Sequence, residues 1–217
     1  MGDTMSVGVF PVVRRLSRPV VAFLLHFPVS PNQITTLSLI AGLGAAACFL
    51  ENSYYIKLVG ALLFVVCYLL DNCDGEVARI KHMSSQFGNY YDTFVDWIVH
   101  TALFLSLGYS NFKAGDDILW LWLGIFAGTG ATINYLLGFF IGNDDECQST
   151  TRQQSEYSGL MEFFILIFRE LSRADFCFIL LILTLINYEW VLLPATAIGA
   201  QIYWMTRFAG SAKKFHV

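Results

Sequence analysis

The sequence contains few charged residues and no closely spaced pair of cysteines. Charged side chains make up 14% of its 217 residues, whereas a soluble globular domain carries about 25%. Its five cysteines are scattered, and no Cys-x2-Cys pair occurs. Neither a zinc site nor a disulfide framework is therefore indicated. There is no internal repeat and too little polar sequence for a second domain, so residues 1–217 are expected to form one domain.

What the sequence does contain is long apolar runs. Hydrophobic residues make up 56% of the chain, and the mean hydropathy is +0.56. A helix of about 20 apolar residues crosses the hydrocarbon core of a bilayer. We therefore expect an all-α integral membrane protein with six transmembrane helices, over residues 33–50, 55–79, 87–109, 118–142, 172–188 and 189–208.

Two further segments are predicted to lie along the membrane surface. The N-terminal segment, residues 1–32, contains "VFPVVRRLSRPVVAFLLHF", which reads as an amphipathic helix with its arginines toward lipid phosphates. The second is "LMEFFILIFRELSR", residues 160–173, which follows a polar loop. An alternative is that this segment and the fifth span form one long tilted helix.

The basic residues predict the orientation of the bundle. Of the 13 lysines and arginines, only Lys57 and Lys113 fall on the side opposite the termini. Cytoplasmic loops of membrane proteins carry an excess of Lys and Arg. Both termini, the turn after Arg79 and the segment 143–171 are therefore predicted to be cytoplasmic.

Four aspartates interrupt the apolar pattern in the second and third spans. Asp71 and Asp74 are three residues apart and Asp92 and Asp96 are four apart, so each pair shares one helix face. The two helices are antiparallel, and their acidic faces are expected to meet near the cytoplasmic end. Four clustered carboxylates repel strongly at low dielectric, so they would either take up protons or hold cations. Oxygen ligands alone select hard cations such as Mg²⁺, Mn²⁺ or Ca²⁺, and four acids suit a pair of ions.

Small residues and one arginine surround these acids. Gly75 follows Asp74 inside a helix, where glycine costs about 1 kcal/mol relative to alanine. Ala78 and Gly88 add further bare backbone, which a bulky ligand can approach closely. Arg79 supplies a cation suited to a phosphate. The pattern thus predicts a site in which the aspartates bind metal ions, the small residues leave room for a ligand, and Arg79 binds a phosphate of that ligand.

The pattern D-x2-D-G-x2-A-R-x8-G-x3-D-x3-D, from Asp71 to Asp96, resembles the signature of the CDP-alcohol phosphotransferase (phosphatidyltransferase) family at all eight defining positions. The stretch "SPNQITTLSL" is similar to the family's usual entry into its first span. The wording "DNCDGEVARIK" and the later "SRADFCFILLIL" look most like the branch containing di-inositol-phosphate-phosphate synthases and related inositol-lipid enzymes.

This resemblance implies a role for each motif residue. Asp71, Asp74, Asp92 and Asp96 would be ligands of two divalent cations, Mg²⁺ or Mn²⁺, and Asp96 would also be the catalytic base. The donor would be a CDP-alcohol, CDP-diacylglycerol first, whose phospho-alcohol group passes to the hydroxyl of a polar acceptor with release of CMP. The residues implied for CDP-alcohol binding are Gly75, Ala78, Arg79, Gly88 and Asn32.

The acceptor is predicted from basic residues at the cytoplasmic mouth. Arg169 and Arg173 lie four residues apart, and Arg207 and Lys81 are expected nearby. Arginine grips a phosphate monoester with paired hydrogen bonds, which favours inositol phosphate first and glycerol phosphate second. The alternative is that these side chains reach lipid headgroups and anchor the helices.

Two other functions fit part of the pattern. A CDP-choline or CDP-ethanolamine transferase with a lipid acceptor shares the motif. A cation transporter also uses intramembrane acids, but it does not need the arrangement of Gly75, Ala78 and Arg79. The family resemblance also implies a homodimer, and "GIFAG", residues 124–128, is a GxxxG pattern that suits either dimerisation or close packing within one chain. No nucleic-acid partner is expected.

Overall fold

The computed structural model describes residues 12–141 and 176–214, and within them every regular element is helical. The helices occupy the positions of the six predicted spans and of the N-terminal amphipathic segment. Their bounds are α1 Val12–Leu24, α2 Pro31–Phe49, α3 Tyr54–Ile80, α4 Gln86–Gly115, α5 Leu119–Ile141, α6 Phe176–Leu185 and α7 Leu192–Lys214, with a 3₁₀ turn at Glu189–Val191.

Several helix ends differ from the sequence prediction, including the end of α6 at Leu185 and the end of α7 at Lys214. α4 continues past residue 109 because the polar residues there find partners: the Ser110 hydroxyl donates to Asn52 Oδ1 at 2.7 Å, and the helix stops at Asp116 with a left-handed φ of 54°. The sixth predicted span begins with the 3₁₀ turn, and its α-helix starts only at Leu192.

Among the described helices, α2 and α3 are long and apolar enough to cross a membrane. The count of six spans therefore remains a prediction. The outer surface agrees with a lipid environment, because large apolar side chains such as Ile40, Val59, Phe126 and Ile198 are more than half exposed.

Helix α1 lies against α3 with one narrow face. Val13, Ser17 and Val21 are buried at intervals of four residues, while Arg14 and Arg18 are exposed. This spacing is the signature of an amphipathic helix. The helix is thus amphipathic as expected, and its location at a membrane surface remains a prediction.

Helix α2 is the central element of the part that bears the acids. It packs against both α3 and α4, whereas the backbones of α3 and α4 make little direct contact with each other. The acidic end of α3 and the start of α4 therefore face each other across a cleft that α2 closes on one side. The core beneath it is built from fully buried side chains of α2, α3, α4, α6 and α7, including Phe49, Phe64, Leu103, Leu180 and Leu193.

The first glycine of "GIFAG" is used within the chain. A Cβ on Gly124 would lie 2.9 Å from the carbonyl oxygen of Phe104 and 3.1 Å from Gly108 Cα. Only glycine permits the backbones of α4 and α5 to approach this closely. Of the two readings left open by the pattern, packing within the chain accounts for Gly124, and the homodimer remains a prediction.

Candidate active site

The acidic residues of α3 and α4 converge at the cleft. Asp71, Asp74 and Asp92 each offer a carboxylate oxygen, and these atoms lie within 4.8 Å of one another. The meeting of the two acidic faces follows from helix periodicity on α3 and from the short turn that reverses the chain before α4. Three carboxylates at this separation repel one another unless one of them is protonated or a cation lies among them.

Two oxygens of this cluster have no hydrogen-bond partner within the described part of the chain. Asp71 Oδ1 and Asp92 Oδ1 are buried and make no hydrogen bond to the described residues. An unsatisfied buried acceptor is costly, and the cost is larger for a charged group. Unpaired carboxylate oxygens in such a cluster fit a hard divalent cation, which takes carboxylate oxygens as ligands.

Asp96 lies one turn further along α4 than Asp92 and outside the group of three. Its side chain is accessible to solvent, unlike the buried Asp74. Accessibility is what a proton acceptor for an incoming hydroxyl requires. The structure thus separates the predicted base from the three most closely grouped acids.

Thr35 on α2 holds Asp74 and is not part of the sequence motif. Its hydroxyl donates to Asp74 Oδ2 at 2.5 Å, and both side chains are buried, with 3% and 6% of their surface exposed. The Pro31 carbonyl lies 3.1 Å from the same hydroxyl. A signal was present in "SPNQITTLSL": Thr35 is three residues after Asn32 and shares its helix face.

The start of α2 is set by local sequence. Ser30 is the N-cap, Pro31 occupies the first helical position, and Ser30 and Gln33 form a capping box in which each side chain accepts from the other's backbone N–H. Proline is favoured at this position because its missing N–H has no helical partner. This start places Asn32 and Thr35 at the mouth of the cleft.

A cavity of about 110 Å³ opens beside the acids. The five residues implied for CDP-alcohol binding all line it, together with Asp74 and Asp92. Six lining residues were not predicted: Pro31, Thr35, Met83, Ser84, Ser85 and Asn89. Four of these come from the α3–α4 turn and the first turn of α4, where the sequence shows only an unremarkable polar stretch.

Gly75 leaves open space at this cavity and does not serve helix packing. The nearest atoms to a Cβ built at Gly75 are the guanidinium nitrogens of Arg79, at 3.8 and 4.0 Å. At Gly124, by contrast, the backbone atoms Phe104 O and Gly108 Cα would lie 2.9 and 3.1 Å from the Cβ. A glycine that no neighbouring helix requires, in a helix interior where it weakens the helix, points to a ligand that approaches the backbone.

The start of α4 also faces the cavity. Ser85 is its N-cap, and the Ser85 hydroxyl accepts from the Gly88 N–H at 3.0 Å. A Cβ on Gly88 would lie 3.2 Å from Ser85 Oγ and 3.5 Å from Asn32 Oδ1. The N-terminus of α4, the Asn32 amide and Arg79 thus border the same space, which suits an anion.

The residues predicted for the acceptor are only partly within the described chain. The Lys81 ammonium donates to the carbonyl oxygens of Phe27 and Val29, at 3.0 and 2.8 Å, and ties the α3–α4 turn to the segment before α2. It does not line the cavity. Arg169 and Arg173 lie outside the described residues, and Arg207 belongs to α7 with its side chain outside the described part.

A known protein family matches most of the chain. The CDP-alcohol phosphatidyltransferase family matches residues 28–202. This range includes α2 to α6, all four aspartates and the whole cavity lining. The chain belongs to the CDP-alcohol phosphatidyltransferase family, so the family predicted from the motif is confirmed.

Curated relatives resemble parts of the chain. An uncharacterised protein of Aquifex aeolicus is 33% identical over 108 residues, which are 49% of this chain and 53% of that protein. A bifunctional IPC transferase and DIPP synthase of Archaeoglobus fulgidus is 36% identical over 94 residues, 43% of this chain and 18% of that protein. The similar bifunctional protein of Aquifex aeolicus is 29% identical over 97 residues, 45% of this chain and 22% of that protein. The match therefore spans about half of the first relative and about a fifth of the bifunctional ones.

A solved structure has the same fold. Mycobacterium tuberculosis phosphatidylinositol phosphate synthase (PgsA1), determined with CDP-DAG bound, superposes with a TM-score of 0.60 over 91% of this chain and 94% of its own. Its sequence is 19% identical. At this identity the likeness concerns the fold, which is that of the membrane transferases of this family.

Proposed function

We propose that the protein transfers the phosphatidyl group of CDP-diacylglycerol to the hydroxyl of a polar acceptor and releases CMP, in phospholipid biosynthesis. The observation that carries this proposal is the cavity beside the aspartates. It is lined by Gly75, Ala78, Arg79 and Gly88 and contacts Asp74 and Asp92 directly. A nucleotide there would have its diphosphate between Arg79 and the acidic cluster.

The donor would be held by groups of three helices. Arg79 and the N-terminus of α4 supply positive charge to the phosphates. Gly75 and Gly88 leave room for the nucleotide. The Asn32 amide, which faces the same cavity, can both donate and accept hydrogen bonds. Binding at this position would leave the phosphorus that bears the lipid beside the carboxylates.

The residues fit two divalent cations, Mg²⁺ or Mn²⁺, with Asp71, Asp74, Asp92 and Asp96 as ligands. Such cations stabilise negative charge on attacking and leaving oxygens in displacements at phosphorus. The unpartnered oxygens of Asp71 and Asp92 support this assignment. The hydrogen bond from Thr35 would leave Asp74 one oxygen free for such a role.

Asp96 would act as the general base. The acceptor hydroxyl gives its proton to the Asp96 carboxylate, the hydroxyl oxygen forms a bond to the phosphorus, and the bond from that phosphorus to the oxygen of CMP breaks. General bases in enzymes contribute about 10²–10⁴-fold to the rate. The accessible position of Asp96, apart from the group of three, supports this role.

For the acceptor we propose inositol phosphate first and glycerol phosphate second. The arginines at positions 169, 173 and 207 supply the argument, because a phosphate monoester needs cations beyond those that serve the donor. The names of the relatives favour an inositol-containing substrate. We further propose that the chain is a homodimer with its active site and both termini on the cytoplasmic side of the membrane.

Two alternatives have less support. A CDP-choline or CDP-ethanolamine transferase would use the same donor cavity with a lipid acceptor, and would need no arginines beyond Arg79. A cation transporter would explain the acids but not the cavity at Gly75. Neither alternative uses the arginines at positions 169, 173 and 207 to bind a substrate.

The test is an acceptor screen. Membranes containing the protein are mixed with CDP-diacylglycerol, Mg²⁺ and one radiolabelled acceptor: inositol phosphate, glycerol phosphate, inositol or serine. We expect label in lipid with inositol phosphate and none with the Asp96→Asn variant. If no acceptor is incorporated by intact wild-type protein, or if Asp96→Asn retains incorporation, the proposed reaction is wrong.

A further inference from the structure

A hydrogen bond joins α3 and α4, the two helices that carry the four aspartates, about one helical turn away from those aspartates. Tyr68 Oη and His100 Nε2 are 2.8 Å apart. Tyr68 is three residues before Asp71 on α3, and His100 is four residues after Asp96 on α4. Both partners therefore lie on the same helix faces as the acids and further from the α3–α4 turn, by about 4.5 Å along α3 and about 6 Å along α4.

The direction of this hydrogen bond follows from the other ring nitrogen. His100 Nδ1 is 2.8 Å from the carbonyl oxygen of Asp96, which can only accept. Nδ1 therefore carries the hydrogen, and Nε2 of the neutral ring accepts from the Tyr68 hydroxyl. The imidazole thus connects the backbone of Asp96 itself to α3.

The surroundings of the ring hold it in place. Phe64 and Tyr68 of α3, Phe104 of α4 and Phe176 of α6 pack around His100, with ring centroids 5.9–6.3 Å from it. Aromatic pairs at such distances favour defined relative orientations. A phenylalanine at position 100 would therefore keep most of this aromatic packing while removing both hydrogen-bonding nitrogens.

The position of this bond matters because α3 and α4 make little direct backbone contact. Their separation at the acids depends on α2 at one side and on side chains that reach across the cleft. We propose that Tyr68 and His100 are positioning residues for the transfer reaction, forming a bridge that sets Asp96 relative to Asp71. The inference rests on the proposed function and adds two residues outside the family motif.

A role of Tyr68 in packing alone and a role in positioning Asp96 predict different effects of Tyr68→Phe. This change removes one hydroxyl and keeps the ring. A misplacement of about 1 Å at a reacting group costs up to about 10²-fold in rate, so we expect kcat to fall by roughly tenfold with saturating donor, acceptor and Mg²⁺. The donor KM should stay within about twofold, because the cavity is lined by other residues.

Tyr54→Phe is the matched control. Tyr54 is on the same helix, at the opposite end, and its hydroxyl donates to the Leu185 carbonyl at 3.1 Å. It should lose a hydrogen bond of the same kind and keep kcat within about twofold of wild type. Equal kcat values in the Tyr68→Phe and Tyr54→Phe proteins would overturn the proposal, whatever their melting temperatures.

Substitutions of His100 add a second readout. His100→Gln retains an acceptor for the Tyr68 hydroxyl, whereas His100→Phe retains only the packing. We expect kcat to decrease in the order wild type, His100→Gln, His100→Phe, and the double variant with Tyr68→Phe to be no slower than His100→Phe alone, as for partners in one interaction. If the kcat losses of Tyr68→Phe and His100→Phe multiply in the double variant, the two residues act independently and the bridge is contradicted.

Failure of this inference can be separated from failure of the proposed reaction. If the wild-type protein transfers no phosphatidyl group, the proposed reaction is wrong. The bridge is then tested by measuring Mn²⁺ binding to the purified protein with electron paramagnetic resonance. Tyr68→Phe should then weaken Mn²⁺ binding severalfold relative to Tyr54→Phe. Equal Mn²⁺ affinity in the two variants would overturn it.

Discussion

The Thr35 hydroxyl donates to Asp74 Oδ2 and thereby joins the first helix of the bundle, α2, to the acidic end of α3. Asp74 exposes the least surface of the four acids. Its partner comes from a helix 39 residues earlier in the chain. The acidic site is therefore built from three helices and not only from the two that contain the motif.

Replacing Thr35 tests this link. Thr35→Val keeps the shape of the side chain but leaves the buried Asp74 oxygen without its donor, a loss of about 1–3 kcal/mol. We expect a fall in kcat of at least about tenfold and a lower melting temperature. Thr35→Ser restores the hydroxyl and should recover most of both. Wild-type kcat in Thr35→Val would mean that the hydrogen bond has no part in the reaction.

Neutralising the acids should abolish turnover. Asn at any one of positions 71, 74, 92 and 96 removes a proposed ligand or the base, so phosphatidyl transfer should be lost while the membrane protein remains folded. Removing one carboxylate also relieves repulsion among the group, so the melting temperature in EDTA should not fall. Asp116→Asn, in the connection after α4, is the matched control and should retain activity.

Chelation gives the corresponding result for the cation. EDTA should abolish transfer by the wild-type protein, and Mg²⁺ or Mn²⁺ should restore it, because only hard divalent cations suit an all-oxygen site. Full activity after exhaustive chelation, or wild-type rates in two of the four Asn variants, would contradict a two-cation site.

Substitutions at Gly75 should separate ligand binding from folding. Gly75→Ala meets no other helix, and alanine is favoured in a helix interior by about 1 kcal/mol, so this variant should melt at or above the wild-type temperature and bind CDP-alcohol more weakly. Gly75→Val fills more of the cavity and should lose most donor affinity, measured by titration calorimetry. Donor affinity close to wild type in Gly75→Val would place the nucleotide elsewhere.

Gly124→Ala provides the contrast to Gly75. Its Cβ would lie 2.9 Å from the Phe104 carbonyl oxygen, so α4 and α5 must separate, and overpacking of this kind costs about 1–3 kcal/mol. We expect a lower melting temperature with donor affinity retained in the folded fraction. The two glycines should therefore change stability in opposite directions.

The acceptor prediction is tested at Arg173. Arg173→Ala should raise the KM for inositol phosphate by an order of magnitude or more and leave the donor KM nearly unchanged, because one substrate loses a ground-state contact. Arg152→Ala, which changes another arginine on the predicted cytoplasmic side, is the control for charge alone. An unchanged acceptor KM, or a preference for an unphosphorylated alcohol, would identify Arg173 as a headgroup anchor.

The sequence by itself determined the helical class, the family and the identities of the acids. Helix spacing is local, so intervals of three and four residues are enough to place Asp71 with Asp74 and Asp92 with Asp96 on single faces. Hydropathy is also local, and the helices α2 to α5 lie where the apolar runs predict them. Gly75 was predicted to leave open space, and the absence of a packing neighbour agrees.

Only the tertiary structure decided which distant side chains support the acids. Thr35 lies in the recognisable stretch "SPNQITTLSL", but nothing in that stretch names Asp74 as its partner. His100 shares no spacing with the other histidines, so no sequence signal assigned it a role. Their partners are set by how α2, α3 and α4 pack, which depends on side chains many residues apart. The same holds for Lys57 and Glu189, whose buried ion pair at 2.8 Å joins positions 132 residues apart. Periodicity gives the face of a helix, but the neighbour of that face is a property of the folded bundle.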